Sequence, residues 1–192
     1  SAVIRATGDL ATVKIGGSIR GFAGLDPNSS SNCSILGQHI GSVTVNGSID
    51  GASPIIPRIA GSGGDGVPAI GKIVIRGSMT VAQIIGGVLG NFVGAPRTAD
   101  AEIGSITIGG NLDSASIDTG FKENGATDNA SRIGKLNSLK IGGTLTGNAL
   151  VRAEQLGQAM IGGAKLKLTA GPSNDTTAIS FLPGTASIAE YM

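Results

Sequence analysis

The chain of 192 residues has few aromatic residues, cysteines and histidines: it contains no Trp, one Tyr, four Phe, one Cys and one His. The single cysteine, Cys33, cannot form an internal disulfide, which excludes a disulfide-stapled fold. Any Ser–His or His–metal site would have to use His39, the only histidine. Because aromatic residues are scarce, the core must be filled by Ile, Val, Leu and Ala.

Charge is also sparse, since charged residues make up 14 % of the chain and the formal net charge is +1. No basic run occurs, so a nucleic-acid partner is not expected. No run of 18 apolar residues occurs either. The most apolar stretch, 81–96, is interrupted by Gln83, Asn91 and several glycines, and is predicted to form strands and not a membrane span. In contrast, 33 residues are Gly, well above the usual share of about 7 %.

A ten-residue pattern explains the glycine content, because the chain carries six copies of it. The copies begin at Leu10 (LATVKIGGSI), Ile40 (IGSVTVNGSI), Ile70 (IGKIVIRGSM), Ile103 (IGSITIGGNL), Leu136 (LNSLKIGGTL) and Leu156 (LGQAMIGGAK). The second glycine of the turn is present in every copy, at Gly17, Gly47, Gly77, Gly110, Gly143 and Gly163.

Each copy alternates apolar and polar residues, as in Ile106-Thr107-Ile108, which predicts a short strand with one buried face. The following pair suits a bend with φ > 0, which glycine adopts without steric cost. A hairpin would suit the same pair. Repetition argues against the hairpin, since the copies begin 30, 30, 33, 33 and 20 residues apart and such periods indicate a solenoid.

The predicted fold is all-β: a single-stranded parallel β-helix, right-handed by precedent for such solenoids, of about six coils with 20–33-residue repeats. Residues 1–168 form the repeats. Residues 169–192 form a carboxyl-terminal linker followed by a strand or cap, because the pattern decays after Leu156 and Lys165 stands where an apolar residue is due. Ser1–Ala6 matches the place of residues 148–153, so the solenoid is expected to begin in mid-turn.

Equivalent positions of the copies should lie above one another in columns. The column after the turn glycine is a ladder of small, mostly polar residues able to bond neighbouring coils. One outward column places Arg20 beside Asp50, as an exposed ion pair that should contribute little to stability. A second outward column places Asp9 beside His39. The members of the ladder are Ser18, Ser48, Ser78, Asn111, Thr144 and Ala164.

Four features are candidates for chemistry-bearing sites. Asp50 and Asp113 share one column two coils apart, roughly 9 to 10 Å by strand spacing, near the upper limit for an inverting carboxylate pair. Two solvated surface acids are the simpler interpretation. His39 has no Ser or Asp nearby at a spacing typical of a catalytic or metal site, and is expected to be a surface histidine.

Residues 61–66 match G-x-G-x-x-G, but the match opens no predicted helix. The same stretch resembles half of a Gly/Asp calcium repeat, of which there is one copy only. No catalytic, cofactor-binding or metal-binding residue is therefore predicted, and no cofactor.

The IGSxxIGG-type copies resemble the Gly-rich parallel β-helix repeats of large exported or cell-surface bacterial proteins, including autotransporter-like passengers. The resemblance covers residues 1–168. It implies an extracellular or cell-surface location and an adhesive or structural role, and it transfers no catalytic residue.

The leading hypothesis is a non-enzymatic structural or adhesive β-solenoid. It would associate end to end as a fibre subunit, or with further repeats of a larger protein, and surface glycans are a second class of partner. The alternative is a carbohydrate-binding or polysaccharide-cleaving β-helix that uses the loops at 26–39, 60–69, 94–102 and 121–132.

Overall fold

The structure is a computed structural model that describes residues 3–21, 33–53, 56–63, 66–87, 101–120, 133–175, 179–180 and 186–190. Within these ranges the chain forms strands, turns and bends, and no helix. In chain order the strands are β1 (Ile4–Arg5), β2 (Leu10–Ile15), β3 (Ile19–Arg20), β4 (Ser34–Gly37), β5 (Ile40–Val45), β6 (Ile49–Asp50), β7 (Arg58–Gly61), β8 (Ile70–Ile75), β9 (Met79–Thr80), β10 (Gln83–Gly86), β11 (Glu102–Ile108), β12 (Leu112–Asp113), β13 (Ser116–Thr119), β14 (Lys135–Ile141), β15 (Leu145–Thr146), β16 (Leu150–Ala153), β17 (Gln155–Leu156), β18 (Ala159–Ile161), β19 (Ala164–Lys165), β20 (Ile179–Ser180) and β21 (Ser187–Glu190).

These strands form three sheets, and neighbours in each sheet come from successive passages of the chain. Sheet A has the order β1-β4-β7-β10-β13-β16-β21-β20, sheet B the order β19-β18-β14-β11-β8-β5-β2 with β17 also beside β14, and sheet C the order β15-β12-β9-β6-β3. All pairings are parallel except β18 with β19 and β20 with β21. The all-β prediction is confirmed, and the regular parallel stacking is consistent with a parallel β-helix.

The register of sheet B agrees with the alignment of the six copies. Each copy's first residue lies beside the first residue of the next copy, so the period read from the sequence is the stacking period of the structure. The pairs are Leu10 with Ile40, Ile40 with Ile70, Ile70 with Ile103, Ile103 with Leu136, and Leu136 with Leu156.

The core consists of aliphatic columns that run from strand to strand. In sheet B the column Val13, Val43, Ile73, Ile106, Leu139 and Ala159 is buried along its whole length. Sheet A contributes Ile35, Ile59, Ile84, Ile117, Val151 and Ile188. Because each fully buried side chain of this size contributes about 1.5–3 kcal/mol, these columns are the main source of stability.

The turn glycines are required for a reason other than the predicted one. At Gly47, Gly77, Gly110 and Gly143, φ lies outside the left-handed region, so the expectation of φ > 0 is wrong there. A Cβ on these four glycines would lie 2.0–2.3 Å from a side-chain oxygen of the preceding copy. Close approach of the neighbouring strand, and not backbone conformation, therefore excludes a side chain.

The sixth copy differs, because there the chain turns back. Gly162 and Gly163 have φ of +56° and +83° and join β18 to the antiparallel β19 as a two-residue hairpin with φ > 0 at both turn residues. The hairpin excluded for the repeat as a whole is thus present in this one copy. Leu166 and Leu168, beyond the exposed Lys165, pack against the core.

Residues 162–175, 179–180 and 186–190, here called the cap, cover the carboxyl-terminal end of sheets A and B. Strand β21 continues sheet A in parallel with β16, and β20 then pairs with it antiparallel. Glu190 is 2 % exposed, and its carboxylate accepts hydrogen bonds from the backbone N–H groups of Leu156, Asn174 and Asp175 at 2.7, 2.9 and 3.1 Å. This carboxylate ties the cap to the last repeat.

Candidate functional site at the amino-terminal edge

Each of the three sheets begins with one strand from the first described passage of the chain. Sheet A begins with β1 beside β4, sheet B with β2 beside β5, and sheet C with β3 beside β6. The outer edges of β1, β2 and β3 are here called the amino-terminal notch. Among the described strands, β2 pairs only with β5, and β3 only with β6.

The notch exposes apolar side chains that are buried elsewhere in the same columns. Leu10, Ile15 and Ile19 are only partly buried. Their counterparts in the next copy, Ile40, Val45 and Ile49, are 1 %, 0 % and 2 % exposed. On β1, Val3 and Ile4 are 43 % and 37 % exposed. An unpaired strand edge with an apolar border is a template for further strand pairing.

The turn at the corner of the notch is Gly16-Gly17. Neither glycine has φ in the left-handed region. An added Cβ would have no atom within 4 Å at either position, whereas the equivalent Cβ on Gly47 would lie 2.2 Å from Ser18 Oγ. The contact that requires glycine in the inner copies is therefore missing at the edge.

The small polar column after the turn glycine forms the ladder expected from the sequence. The backbone N–H of Ser48 donates to Ser18 Oγ at 3.0 Å, and the same bond recurs from Ser78 to Ser48 and from Asn111 to Ser78, each at 3.1 Å. Thr144 N–H donates to Asn111 Oδ1 at 3.1 Å. The prediction that these residues bond neighbouring copies is confirmed.

Charged residues around the notch are mostly basic. Arg5, Lys14 and Arg20 are exposed. Arg20 Nε lies 3.9 Å from Asp50 Oδ2, with side chains 66 % and 42 % exposed, so the predicted exposed pair is confirmed.

His39 lies beside Asp9 as the column predicted, with Nδ1 2.8 Å from Asp9 Oδ1, and its side chain is 14 % exposed. It is thus largely covered, which corrects the expectation of a surface histidine. The contact arises between adjacent copies, 30 residues apart, and a search for short sequence spacings overlooks it.

The two acids considered as a carboxylate pair lie on one column of sheet C. Asp50 pairs in register with Thr80, and Thr80 with Asp113, which places the acids two strands apart, about 9–10 Å. Asp113 accepts a hydrogen bond from Ser114 Oγ at 3.2 Å. Each acid thus has its own polar partner on an accessible face, and the structure does not bring them together.

The other sequence motifs have no geometry that would make them sites. Gly61 ends β7 and Gly63 has φ of +60°, so the G-x-G-x-x-G match begins at a strand end and does not open a helix. Asp65 lies outside the described residues. Within the described part of the chain, no three His, Cys, Asp or Glu residues are grouped as metal ligands would be. Cys33 is a free thiol that donates to the carbonyl of Arg20 at 3.2 Å.

Two buried carboxylates were missed by the sequence reasoning. Asp118, 4 % exposed, lies 2.7 Å from Arg152 Nε on the outward face of sheet A. The second is Glu190, which holds the cap. Asp118 and Arg152 pair in register between β13 and β16, so aligning the sheet A segments as well as the ten-residue copies would have revealed the ion pair. The described residues also include no helix long and apolar enough to cross a membrane.

Comparisons of this chain with protein-family models, with curated proteins and with solved structures find no match.

Proposed function

We propose that this chain is a non-enzymatic structural or adhesive segment of an exported or cell-surface bacterial protein, a right-handed β-solenoid of about six coils that stacks end to end with repeats of its own kind. The in-register copies and the aliphatic columns support a scaffold role. The location rests on the resemblance of the IGSxxIGG-type copies to autotransporter-like repeats.

The observation that carries the proposal is the stacking of the copies, because each pairs in register with the next and a further copy would continue the same columns. The cap covers the carboxyl-terminal end of sheets A and B with antiparallel strands. At the other end, β2 and β3 have a described neighbour on one side only, and Leu10, Ile15 and Ile19 remain partly exposed. Pairing a further strand along this edge would remove apolar surface from water at about 25 cal/mol per Å². The amino-terminal notch is therefore the proposed association surface.

Light scattering with negative-stain microscopy over a hundredfold dilution series tests self-association. We expect the scattering mass to rise with concentration toward that of a small oligomer, because the cap covers one of the two ends. Ile4→Lys should reduce this mass, because it places a charge on the exposed apolar strand of the notch. Ile133→Lys is the matched control, since Ile133 is similarly exposed at 39 % and lies away from the notch. A monomer at every concentration contradicts self-association.

The carbohydrate-binding or carbohydrate-cleaving alternative stays a prediction. Its four loops lie partly or wholly outside the described residues. Screening the same samples on a glycan array tests adhesion independently of assembly.

A further inference from the structure

We propose that the outward face of sheet B binds an acidic polysaccharide, with a row of exposed lysines contacting its carboxylate or sulfate groups. The inference rests on the adhesive part of the proposed function, because it names the class of ligand and the surface that holds it. It does not depend on how the chain stacks end to end. The surface, here called the lysine face, consists of the outward side chains of sheet B: Thr12, Lys14, Ser42, Thr44, Lys72, Val74, Ser105, Thr107, Ser138, Lys140, Gln158, Met160 and Lys165.

The strand pattern places these side chains on one surface. In each copy the third and fifth residues flank the buried column of sheet B, as Thr12 and Lys14 flank Val13. Because side chains alternate along a strand, they point away from the core. Neighbouring copies meet in register on this side, where Ser42 Oγ donates to Thr12 Oγ1 at 3.2 Å. No member of the lysine face is buried, so the face is open to a ligand from β2 to β19.

The lysines recur on every second strand of the sheet, whose order is β2-β5-β8-β11-β14-β18-β19. Lys165 belongs to the same face because it lies beside Met160 across the antiparallel pair. Since neighbouring strands are about 4.8 Å apart, successive lysines are about 9–10 Å apart in the stacking direction. The row is staggered, because Lys72 stands two residues before the column of the next lysine. Its members are Lys14 on β2, Lys72 on β8, Lys140 on β14 and Lys165 on β19.

Positive and negative charges are segregated between the sheets. The lysine face contains no Asp or Glu, whereas the other sheets carry Asp50, Asp113 and Asp118. Glu102 stands at the start of β11, at the corner of sheet B, and its carboxylate accepts a hydrogen bond from Asn137 Nδ2. Among the described residues, no carboxylate forms an ion pair with a lysine of the face. A chain of net charge +1 thus presents one face of positive sign, which attracts anionic partners.

The groups between the lysines favour a polysaccharide over other polyanions. The face has no aromatic side chain, on which the bases of single-stranded nucleic acid would stack. Duplex DNA carries one charge per about 1.7 Å, far denser than the lysine row. A membrane surface would gain little from the two apolar side chains present. Hydroxyl groups, which both donate to and accept from sugar hydroxyls, fill the intervening strands: Ser42 and Thr44 on β5, Ser105 and Thr107 on β11.

A depression of about 280 Å³ marks one binding position on the lysine face. Its lining includes Ser138, Lys140, Gln158 and Lys165, and it lies beside the two-residue break between β17 and β18. Two ammonium groups, a hydroxyl and a side-chain amide are all hydrogen-bond donors. Hydrogen bonds from charged donors to an anion are short and strong. We therefore place one carboxylate or sulfate of the ligand in this depression.

The test measures binding of the full chain to polygalacturonate and to dextran sulfate by calorimetry, with neutral dextran as the uncharged control. We expect saturable binding to an acidic polymer, no binding to dextran, and weaker binding at higher salt. Lys72→Gln together with Lys140→Gln should weaken binding about tenfold or more, and Arg at both positions should preserve it. Arg5→Gln with Arg20→Gln is the matched control, because it removes the same charge from exposed residues of sheets A and C.

Two comparisons decide the outcome. Both double variants should keep the parental unfolding midpoint, since all four side chains are exposed. Equal losses of affinity in the two double variants, or equally tight binding of neutral dextran, overturn the inference. Tighter binding of single-stranded DNA or phosphatidylserine vesicles than of either acidic polymer also overturns it.

The depression has its own test. Gln158→Glu should weaken binding of the acidic polymer by placing a negative charge in the depression, whereas Gln38→Glu, at an exposed position outside sheet B, should change it little. Equal effects would overturn the placement of an anionic group there. A monomeric chain that binds through the lysine face supports this inference and contradicts end-to-end stacking, and a scattering mass that rises without polysaccharide binding does the reverse.

Discussion

The two ends of the molecule use the same Gly-Gly dipeptide differently. At the amino-terminal end, Gly16-Gly17 continues the chain from sheet B into sheet C without left-handed φ. At the carboxyl-terminal end, Gly162-Gly163 takes φ of +56° and +83° and reverses the chain into β19. Glycine permits both conformations, so the dipeptide does not select one. The difference lies in the residue two positions after the dipeptide, which is the apolar Ile19 at one end and Lys165 at the other.

The consequence is that the described carboxyl-terminal end blocks strand addition, whereas the described residues place a neighbour on only one side of β2 and β3. An antiparallel edge strand that carries an exposed lysine is a common way to block further pairing. Strand β19 has this form, with Lys165 exposed. Strand β2 has a full six residues and half-buried apolar side chains at both of its ends, Leu10 and Ile15. The comparison predicts that breaking the cap should create a second adhesive end.

Glu190→Ala should produce the largest effect. It removes the buried acceptor of three backbone N–H groups, and buried donors left without acceptors cost about 1–3 kcal/mol each. We expect a loss of about 3 kcal/mol of unfolding free energy by urea titration, with faster amide exchange in β18 and β21. Light scattering should show new self-association through the uncovered edge.

Glu190→Gln separates the two roles of this residue. The amide keeps one acceptor oxygen, so the stability loss should be smaller and the cap should stay closed. If Glu190→Ala unfolds at the parental urea concentration, the assignment of this carboxylate as the bond between cap and repeats is wrong.

Gly47→Ala and Gly17→Ala form a matched pair that sharpens the comparison between edge and interior. A Cβ added to Gly47 would meet Ser18 Oγ at 2.2 Å and the Ser18 backbone nitrogen at 2.9 Å, so we expect a loss of about 1–3 kcal/mol from overpacking. At Gly17 the Cβ has open space, and the change should stay within about 0.5 kcal/mol. Thermal and urea unfolding of both variants give the measurement, and equal losses would show that close approach is not the reason for the turn glycine.

Much of the fold is encoded in a form that sequence alone reveals. Stacked repeats place equivalent residues side by side, so aligning Leu10 with Ile40 and Ile70 already gives the sheet B register. The reason for the turn glycine was not accessible, because it depends on how closely Ser18 approaches Gly47. Asp118 with Arg152 was accessible by aligning the sheet A segments. The role of Glu190 was not, because two of its three donors, the N–H groups of Asn174 and Asp175, lie outside the repeats.

The candidate site was predictable only in part. The sequence indicated that Ser1–Ala6 is equivalent to the segment before Leu156, and β1 and β16 are strands of the same sheet A. Half-burial of Leu10, Ile15 and Ile19 follows from position at the edge and not from residue type, since equivalent residues are buried in every inner copy. The empty space beside Gly17 likewise needs the coordinates of its neighbours.

Gly162→Asn should change stability little at the carboxyl-terminal end. Asn-Gly is the preferred pair for a two-residue hairpin with φ > 0, and the restriction of the unfolded chain, worth about 0.4–1 kcal/mol, offsets the close approach of the added Cβ to the Gly143 carbonyl oxygen at 3.2 Å. Gly162→Val is the control that should lose about 1–2 kcal/mol, because a β-branched residue resists φ of +56°. Destabilisation by Asn equal to that by Val in thermal unfolding would argue against the hairpin.

Asp50→Asn should have the smallest effect, and it contrasts a surface ion pair near the open end with a buried one. Asp50 and Arg20 are 3.9 Å apart and both well exposed, so their separation should change the unfolding free energy by less than about 0.5 kcal/mol. The counterpart Asp118→Asn removes the charge from a pair at 2.7 Å with a 4 % exposed acid and should cost clearly more, because an ion pair with a buried partner is screened less by solvent. Adding Asp113→Asn to Asp50→Asn also tests glycan cleavage: with the fold intact, loss of such an activity would favour the carbohydrate-cleaving alternative. A non-enzymatic scaffold predicts that this double variant assembles and binds as the parent does.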